Sequence, residues 1–241
     1  GSGGSIMINS GNLSGSGSVN ARGGGASGGG GRIAVILTNG TEFGGVSIIA
    51  YSGTSSGGAG TIYRKAGNQT YGDLIIDNNG VSSTATLINE NVTDAVVGNV
   101  HIRNGGKLNM SANNYSRSHD PASLTIYGIF NNTGTFTAGA NSTIVFAGGT
   151  GDSPQNTTIY TNESFYNLNI TKEGGYVFFS AGGQWNVTNE FNVQGNSSDY
   201  SYLRSTSEGT MWNLNYSGSS YDIDFSDVND SNASSGNKLA A

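Results

Sequence analysis

Thirty of the 241 residues are asparagine, and sixteen of these open an Asn-x-Ser/Thr triplet in which x is not proline. That triplet is the acceptor pattern for N-linked sugar, with the carboxamide nitrogen as the attachment atom. Ser and Thr fill roughly a quarter of all positions, so chance gives about eight such triplets and the excess is about twofold. The acceptors are Asn12, Asn39, Asn68, Asn91, Asn109, Asn114, Asn131, Asn141, Asn156, Asn162, Asn169, Asn186, Asn196, Asn215, Asn229 and Asn232, spread over the whole length. A chain decorated on this scale belongs outside the cell and exposes most of its length to water.

A second group that could do chemistry is the acidic run from Tyr221 to Asp230, with Asp222, Asp224, Asp227 and Asp230. Ile223 and Phe225 read as inward, which leaves Asp222 and Asp224 on one outward face. Hard carboxylate oxygens at this density suit Ca²⁺. Paired carboxylates also act as acid and base in polysaccharide cleavage. The plainer expectation is a solvated face that discourages strand pairing. No other cofactor is expected.

The remaining candidates carry less. His101 and His119 are the only histidines, and two residues so far apart in sequence define neither a metal site nor a triad. Trp185 and Trp212 fall in the inward phase of their runs, so core packing is expected in place of a sugar-stacking platform. Gly23 to Gly31 is followed by no Gly-Lys-Ser/Thr and opens no helix, so it is expected to be a flexible or tightly turned surface loop and not a phosphate cradle.

Composition narrows the classes. Charged residues are 11% and the net charge is −6, too sparse for the basic stripe that nucleic acid needs. There is no cysteine, hence no disulfide, thiolate chemistry or Cys-based zinc site. No run of about eighteen apolar residues is present, so no membrane-inserted helix is expected. Gly1 is an unusual translation start, and the chain is expected to be a processed product or an excised segment.

The elements that must position these groups are short runs of period-two alternation, such as Ser123-Leu124-Thr125-Ile126 and Asn167-Leu168-Asn169-Ile170-Thr171. Helix formers are scarce and β-branched, aromatic and turn residues dominate, so the chain should be nearly all β. The first inward residues Leu74, Val100, Leu124, Ile144, Leu168, Phe191 and Trp212 recur at about 20–26 residues, the range of solenoid coils. Spacing alone also admits a sandwich. The quasi-regular repeat, the Asn/Gly corners suited to left-handed backbone, and the lack of a tight hairpin signal favour a β-helix. One solenoid domain over 1–241 is expected, with a Gly-rich part over about 1–70 and more regular coils over about 71–241. In a strand, Asn and Thr of Asn-x-Thr point outward together while x points inward. The pattern that builds the core therefore also displays sequons, and Asn ladders would give the same pattern with no sugar.

Several stretches carry a resemblance. Gly28-Gly29-Gly30-Gly31-Arg32-Ile33-Ala34-Val35, Tyr71-Gly72-Asp73-Leu74-Ile75-Ile76-Asp77-Asn78 and Phe165-Tyr166-Asn167-Leu168-Asn169-Ile170 resemble the Gly/Asn-rich repeats of large, secreted, adhesin-like β-helical proteins of prokaryotic cell surfaces. The resemblance implies a single-stranded, right-handed parallel β-helix with a surface, adhesive or structural role, and it brings no catalytic residues. The expectation is a non-enzymatic, extracellular, glycan-bearing subunit that stacks head to tail on copies of itself, because neither end shows a capping helix. The tail from Gly236 to Ala241 reads as one more short strand. The alternatives are an adhesin or spacer segment of a giant surface chain and a polysaccharide-degrading β-helix enzyme.

Overall fold

The alternating runs become strands because each can bury one face only by stacking on the next. A computed structural model describes residues 1–25, 27–89, 92, 95–111, 122–149, 151, 155–237 and 239. Among these, every regular element is a strand, and the fold is an all-β, parallel β-solenoid. The contacts divide it into two compact units. One comprises Gly1–Leu87, Gly98–Asn109 and Asn132–Phe136; the other comprises Ile88–Val97, Met110–Asn131 and Thr137–Ala241.

In the first unit the strands Ser5–Ser10, Arg32–Leu37 and Thr61–Lys65 stack in parallel, one coil apart. Ile33, Val35 and Leu37 face inward with Ile62, and Ile6 and Ile8 pack beside them. The next strand, Asp73–Asp77, pairs antiparallel with Thr61–Lys65. This hairpin corrects the expectation of uninterrupted parallel winding. Asp73–Asp77 then pairs in parallel with Val100–Arg103.

Alternation within Asp73–Asp77 puts Ile75 on one face and Leu74 and Ile76 on the other. Ile75 is paired with Ile62 and belongs to the first core. Leu74 and Ile76 are paired with Val100 and Ile102, and all four are buried. The strand thus serves two apolar layers, and its burial runs unbroken over Asp73–Ile76 where that of Arg32–Leu37 alternates. Reversing strand direction alone would invert the winding hand. Moving the core to the opposite face inverts it again, so the winding sense is the same on both sides of the hairpin.

Of the expected surface loop over Gly23 to Gly31, Gly24, Gly25 and Ser27 are an exposed turn, whereas Gly23, Gly28, Gly30 and Gly31, together with Gly60, are main-chain packing layers. Gly60 N donates to Ala50 O (2.7 Å), Gly31 N to Ala21 O (2.8 Å) and Gly30 N to Gly58 O (2.9 Å). A Cβ on Gly30 would lie 1.8 Å from Ala50 O, and one on Gly60 would lie 1.8 Å from Gly31 O. Side chains are excluded by the closeness of neighbouring coils. The Asn corners appear as expected: Asn79 (φ 51°) and Asn104 (φ 50°) adopt left-handed backbone in successive coils.

In the second unit, one wall stacks Ser123–Ile126, Thr143–Ala147, Ser164–Thr171 and Gln184–Gln194, all parallel. Leu124, Ile144, Leu168 and Phe191 are direct neighbours in that register, as the spacing predicts. Trp212 does not continue that row. The long strand Gln184–Gln194 carries Trp212–Tyr216 on its first half and Ser220–Asp224 on its second, so Tyr221 follows Phe191. The opposite wall stacks Thr157–Ile159, Tyr176–Phe179, Ser201–Ser205 and Ser226–Val228. Between the walls Phe130, Phe146 and Phe165 meet edge to face, and Phe179 stacks on Trp212 at 4.1 Å.

Candidate functional site

The most distinctive site is the last coil of the second unit. Alternation sends Phe191 and Val193 inward, and their register partners Tyr221 and Ile223 share that face. Phe191, Val193, Leu203, Trp212, Ile223 and Val228 line an apolar cavity of about 300 Å³. Val228 is 45% exposed there. Among the described residues, Ser226–Val228 pairs only with Ser201–Ser205, Ser220–Asp224 only with Gln184–Gln194, and Ser231–Gly236 only with Trp212–Tyr216. Unpaired edge groups beside an apolar floor can accept another parallel strand and its inward side chains. The last described strand ends at Gly236 and Leu239 lines the same cavity; Lys238, Ala240 and Ala241 of the expected tail strand lie outside the described residues.

The first coil of the first unit has the matching form. Among the described residues Ser5–Ser10 pairs only with Arg32–Leu37, and Ser18–Asn20 only with Ser47–Ile49. Ile6, Ile8 and Val19 are packed on the core but only partly buried. The charges differ in sign. Residues 1–65 carry four basic side chains and one acidic, whereas residues 199–241 carry six acidic and two basic.

The acidic run is dispersed. Asp222 accepts from Gln194 Nε2 (3.1 Å), while Asp227 pairs with Arg204 Nη2 (2.9 Å). Asp224 is exposed. Asp230 sits in a left-handed turn (φ 51°), with its carbonyl accepting from Trp212 N (2.8 Å). Among the described residues no three acidic or His side chains form a group able to hold a metal ion, so the four aspartates do not assemble into the Ca²⁺ site considered above. Phe225 is not inward: it has φ 47°, is exposed, and stacks on Tyr200.

Trp185 and Trp212 are buried in the core, as their phase predicts. Outside it runs an aromatic row that the sequence reading missed. Tyr176 stacks on Tyr202 at 4.8 Å and on Phe178 at 5.5 Å, and Arg204 lies over the Tyr202 ring at 5.3 Å. These rings cover one another's faces, which makes the row a stack holding adjacent coils together.

His101 is half-buried beside Asp73, Arg103 and Arg64. Burial lowers its pKa from the usual 6.5; Arg103 and Arg64 push the same way and Asp73 opposes them. Asp73 itself is buried, accepts from Asn99 Nδ2 (2.7 Å) and Gln69 Nε2 (3.3 Å), and faces Arg64 Nε at 3.5 Å. His119, Asn91 and Asn114 lie outside the described residues.

Another surface feature escaped the sequence reading. A polar groove of about 370 Å³ is lined by Tyr127, Gly148, Gly149, Thr171, Glu173 and Asp199. Its two carboxylates come from segments about one coil apart, and that spacing was the available signal. Beneath it Lys172 is fully buried, donating from Nζ to Tyr127 O (2.6 Å) and Gln155 O (3.1 Å).

The sequons fall into distinct settings. In strands, Asn186 Nδ2 donates to Ser164 Oγ (3.0 Å), Asn215 Nδ2 to Asn186 Oδ1 (3.1 Å) and Asn232 Nδ2 to Asn213 Oδ1 (3.0 Å). Asn169 and Asn109 are half-buried with buried, unpartnered Oδ1 atoms, and Asn131 is half-buried. At corners, Asn156 Oδ1 accepts from Tyr176 N (3.1 Å), Asn162 Oδ1 from Gln184 N (2.9 Å), Asn196 Oδ1 from Ser198 N (2.9 Å) and Asn229 Oδ1 from Asp230 N (3.0 Å). Asn12, Asn39, Asn68 and Asn141 are exposed between strands.

Comparison with protein families, with curated proteins and with solved structures found no match for this chain.

Proposed function

We propose that the chain is a non-catalytic structural protein of an extracellular surface assembly, and that copies of it stack head to tail. The observation that carries this reading is the last coil, where the cavity around Phe191, Ile223 and Val228 lies beside three strands that each pair on one side among the described residues. The occupant is the first coil of a second copy. Among the described residues it offers strands paired on one side only and partly buried Ile6, Ile8 and Val19, and the one charged side chain of residues 1–31 is the cation Arg22. Parallel strand addition supplies main-chain hydrogen bonds, apolar contact supplies the driving force, and a repeated head-to-tail contact that does not close gives a filament.

Light scattering across a concentration series at low salt tests this. Growth with concentration is expected, weakened by added salt because exposed charges are screened beyond about 8–10 Å at 0.1–0.15 M. Val228→Asp should stop growth while leaving the strand content of the circular dichroism spectrum intact. A monodisperse monomer at the highest concentration would overturn the reading. A second reading, polysaccharide cleavage, rests on the groove holding Glu173 and Asp199. Release of reducing sugar that is lost in Glu173→Gln would favour it.

A further inference from the structure

We infer that the sequons are of two kinds, and that those at the exposed coil corners, Asn156 and Asn162 foremost, are acceptor sites for a covalently attached sugar. The inference is independent of whether copies of the chain stack. Strand alternation accounts for the in-strand triplets without any sugar. There Asn and the hydroxyl residue must share the outward face, and the Nδ2 atoms of Asn186, Asn215 and Asn232 are committed to side-chain ladders. Asn39 and Asn68 have no such alternation; Thr158 and Ser164 of the Asn156 and Asn162 triplets are outward strand residues, and there the case rests on the held carboxamide. Nothing in core building calls for Thr41 after Asn39, or Thr70 after Asn68. Among the described residues the hydroxyls of Thr41 and Thr70 make no side-chain hydrogen bond.

At Asn156 and Asn162 the carboxamide is already oriented. Its oxygen is held by a backbone N–H of the next coil, from Tyr176 and Gln184 respectively. Nδ2 lies across Cγ from that oxygen, both residues are exposed, and neither Nδ2 donates a hydrogen bond among the described residues. Attachment of a sugar leaves the oxygen's role untouched. The donor is a sugar joined through its anomeric carbon to a diphosphate. Nδ2 attacks that carbon and forms the N–C bond as the C–O bond breaks. The diphosphate leaves with the electron pair, one amide proton passes to a base, and one N–H remains. In the ladders the same substitution would place a sugar on Nδ2 atoms that bridge side chains of adjacent coils.

The test uses the folded, unmodified chain, a soluble sequon-specific N-glucosyltransferase and UDP-glucose, followed by peptide mass mapping. Proteolytic peptides of the same chain serve as the unfolded reference. Hexose is expected on Asn156, Asn162, Asn39 and Asn68 of the folded protein. Loss of modification is expected at Asn186, Asn215 and Asn232, whose peptides are modified once freed from the fold. The same map on the chain secreted through a cell's own N-glycosylation pathway should place sugar on Asn156 and Asn162 in the folded fraction. Sugar confined to the ladder positions, equal sugar at both kinds of position in the folded chain, or none at Asn156 and Asn162 would overturn the inference.

Discussion

Leu74 and Ile75 are consecutive residues of one strand, yet each is buried in a different apolar layer. Ile75 packs with Ile33 and Ile62, while Leu74 pairs with Val100 on the opposite face. Each layer therefore has its own sensitivity to mutation. Ile75→Ala and Ile76→Ala should each cost about 2–5 kcal/mol, as buried Ile deletions do. The regional effect should differ. Hydrogen exchange should quicken in Arg32–Leu37 for Ile75→Ala and in Val100–Arg103 for Ile76→Ala. Identical exchange patterns in the two variants would contradict the two-layer assignment.

The glycine layers make a second prediction. Gly60→Ala puts a methyl group into the Gly31 carbonyl, where only backbone could yield. The cost should be at least about 3 kcal/mol, the upper end of ordinary overpacking, and the chain should fail to fold if its margin is small. Gly25→Ala meets nothing within 4 Å and should be neutral in a denaturant melt. Equal stability of the two variants would mean that Gly60 is not packed as described.

These two cases mark how far the sequence alone can be read. The row Leu124, Ile144, Leu168, Phe191 was legible because a single outward-inward alternation per coil leaves a fixed spacing. The hairpin was not, because its connection spans Ala66 to Gly72 and lacks the two-residue turn that advertises a reversal. The Leu74-Ile75-Ile76 run is buried on both faces, but apolar runs of the same kind such as Ile144-Val145-Phe146 leave Val145 partly exposed, so the run did not mark the reversal. The Gly-rich segment has the composition of a flexible linker; its exposed turn at Gly24, Gly25 and Ser27 fits that reading, and only the stacking of distant coils turns Gly23, Gly28 and Gly31 into interior. At the end coil, Asp222 and Asp224 follow strand phase, but Phe225 leaves it at a positive φ that the apolar side chain gives no sign of.

Lys172 makes a third prediction. Its ammonium group is fully buried and ties the carbonyls of Tyr127 and Gln155. Lys172→Met keeps the stem but leaves those acceptors short of a donor. A loss of about 1.5–3 kcal/mol is expected, the usual range for a hydrogen bond to a charged group. Lys172→Arg should not rescue it, since a planar fork does not fit a point-charge site. A melt unchanged in Lys172→Met would show that the buried charge contributes nothing net.

The carboxamide ladder can be tested by coupling. Asn215 Nδ2 donates to Asn186 Oδ1, and Asn186 Nδ2 to Ser164 Oγ. A double-mutant cycle on Asn186→Ala and Asn215→Ala should give a coupling of about 0.5–1 kcal/mol, the range for cross-strand polar pairs. Additive losses would mean that the carboxamides are independent and that the in-strand sequons need another explanation.

His101 sets the direction of the pH response. Its folded pKa lies below the unfolded value of 6.5 because burial disfavours the charged ring. A group depressed in the folded state contributes fully above the unfolded pKa. As pH falls below that value the unfolded chain takes up the proton first, so stability drops until the folded pKa is passed. The melting temperature should therefore fall between about pH 7.5 and 5.5, a window above the range where ordinary carboxylates titrate. Removing the titrating ring in His101→Gln should flatten this slope, whatever it does to stability at pH 7.5. The same slope in His101→Gln would assign the acid sensitivity to another group.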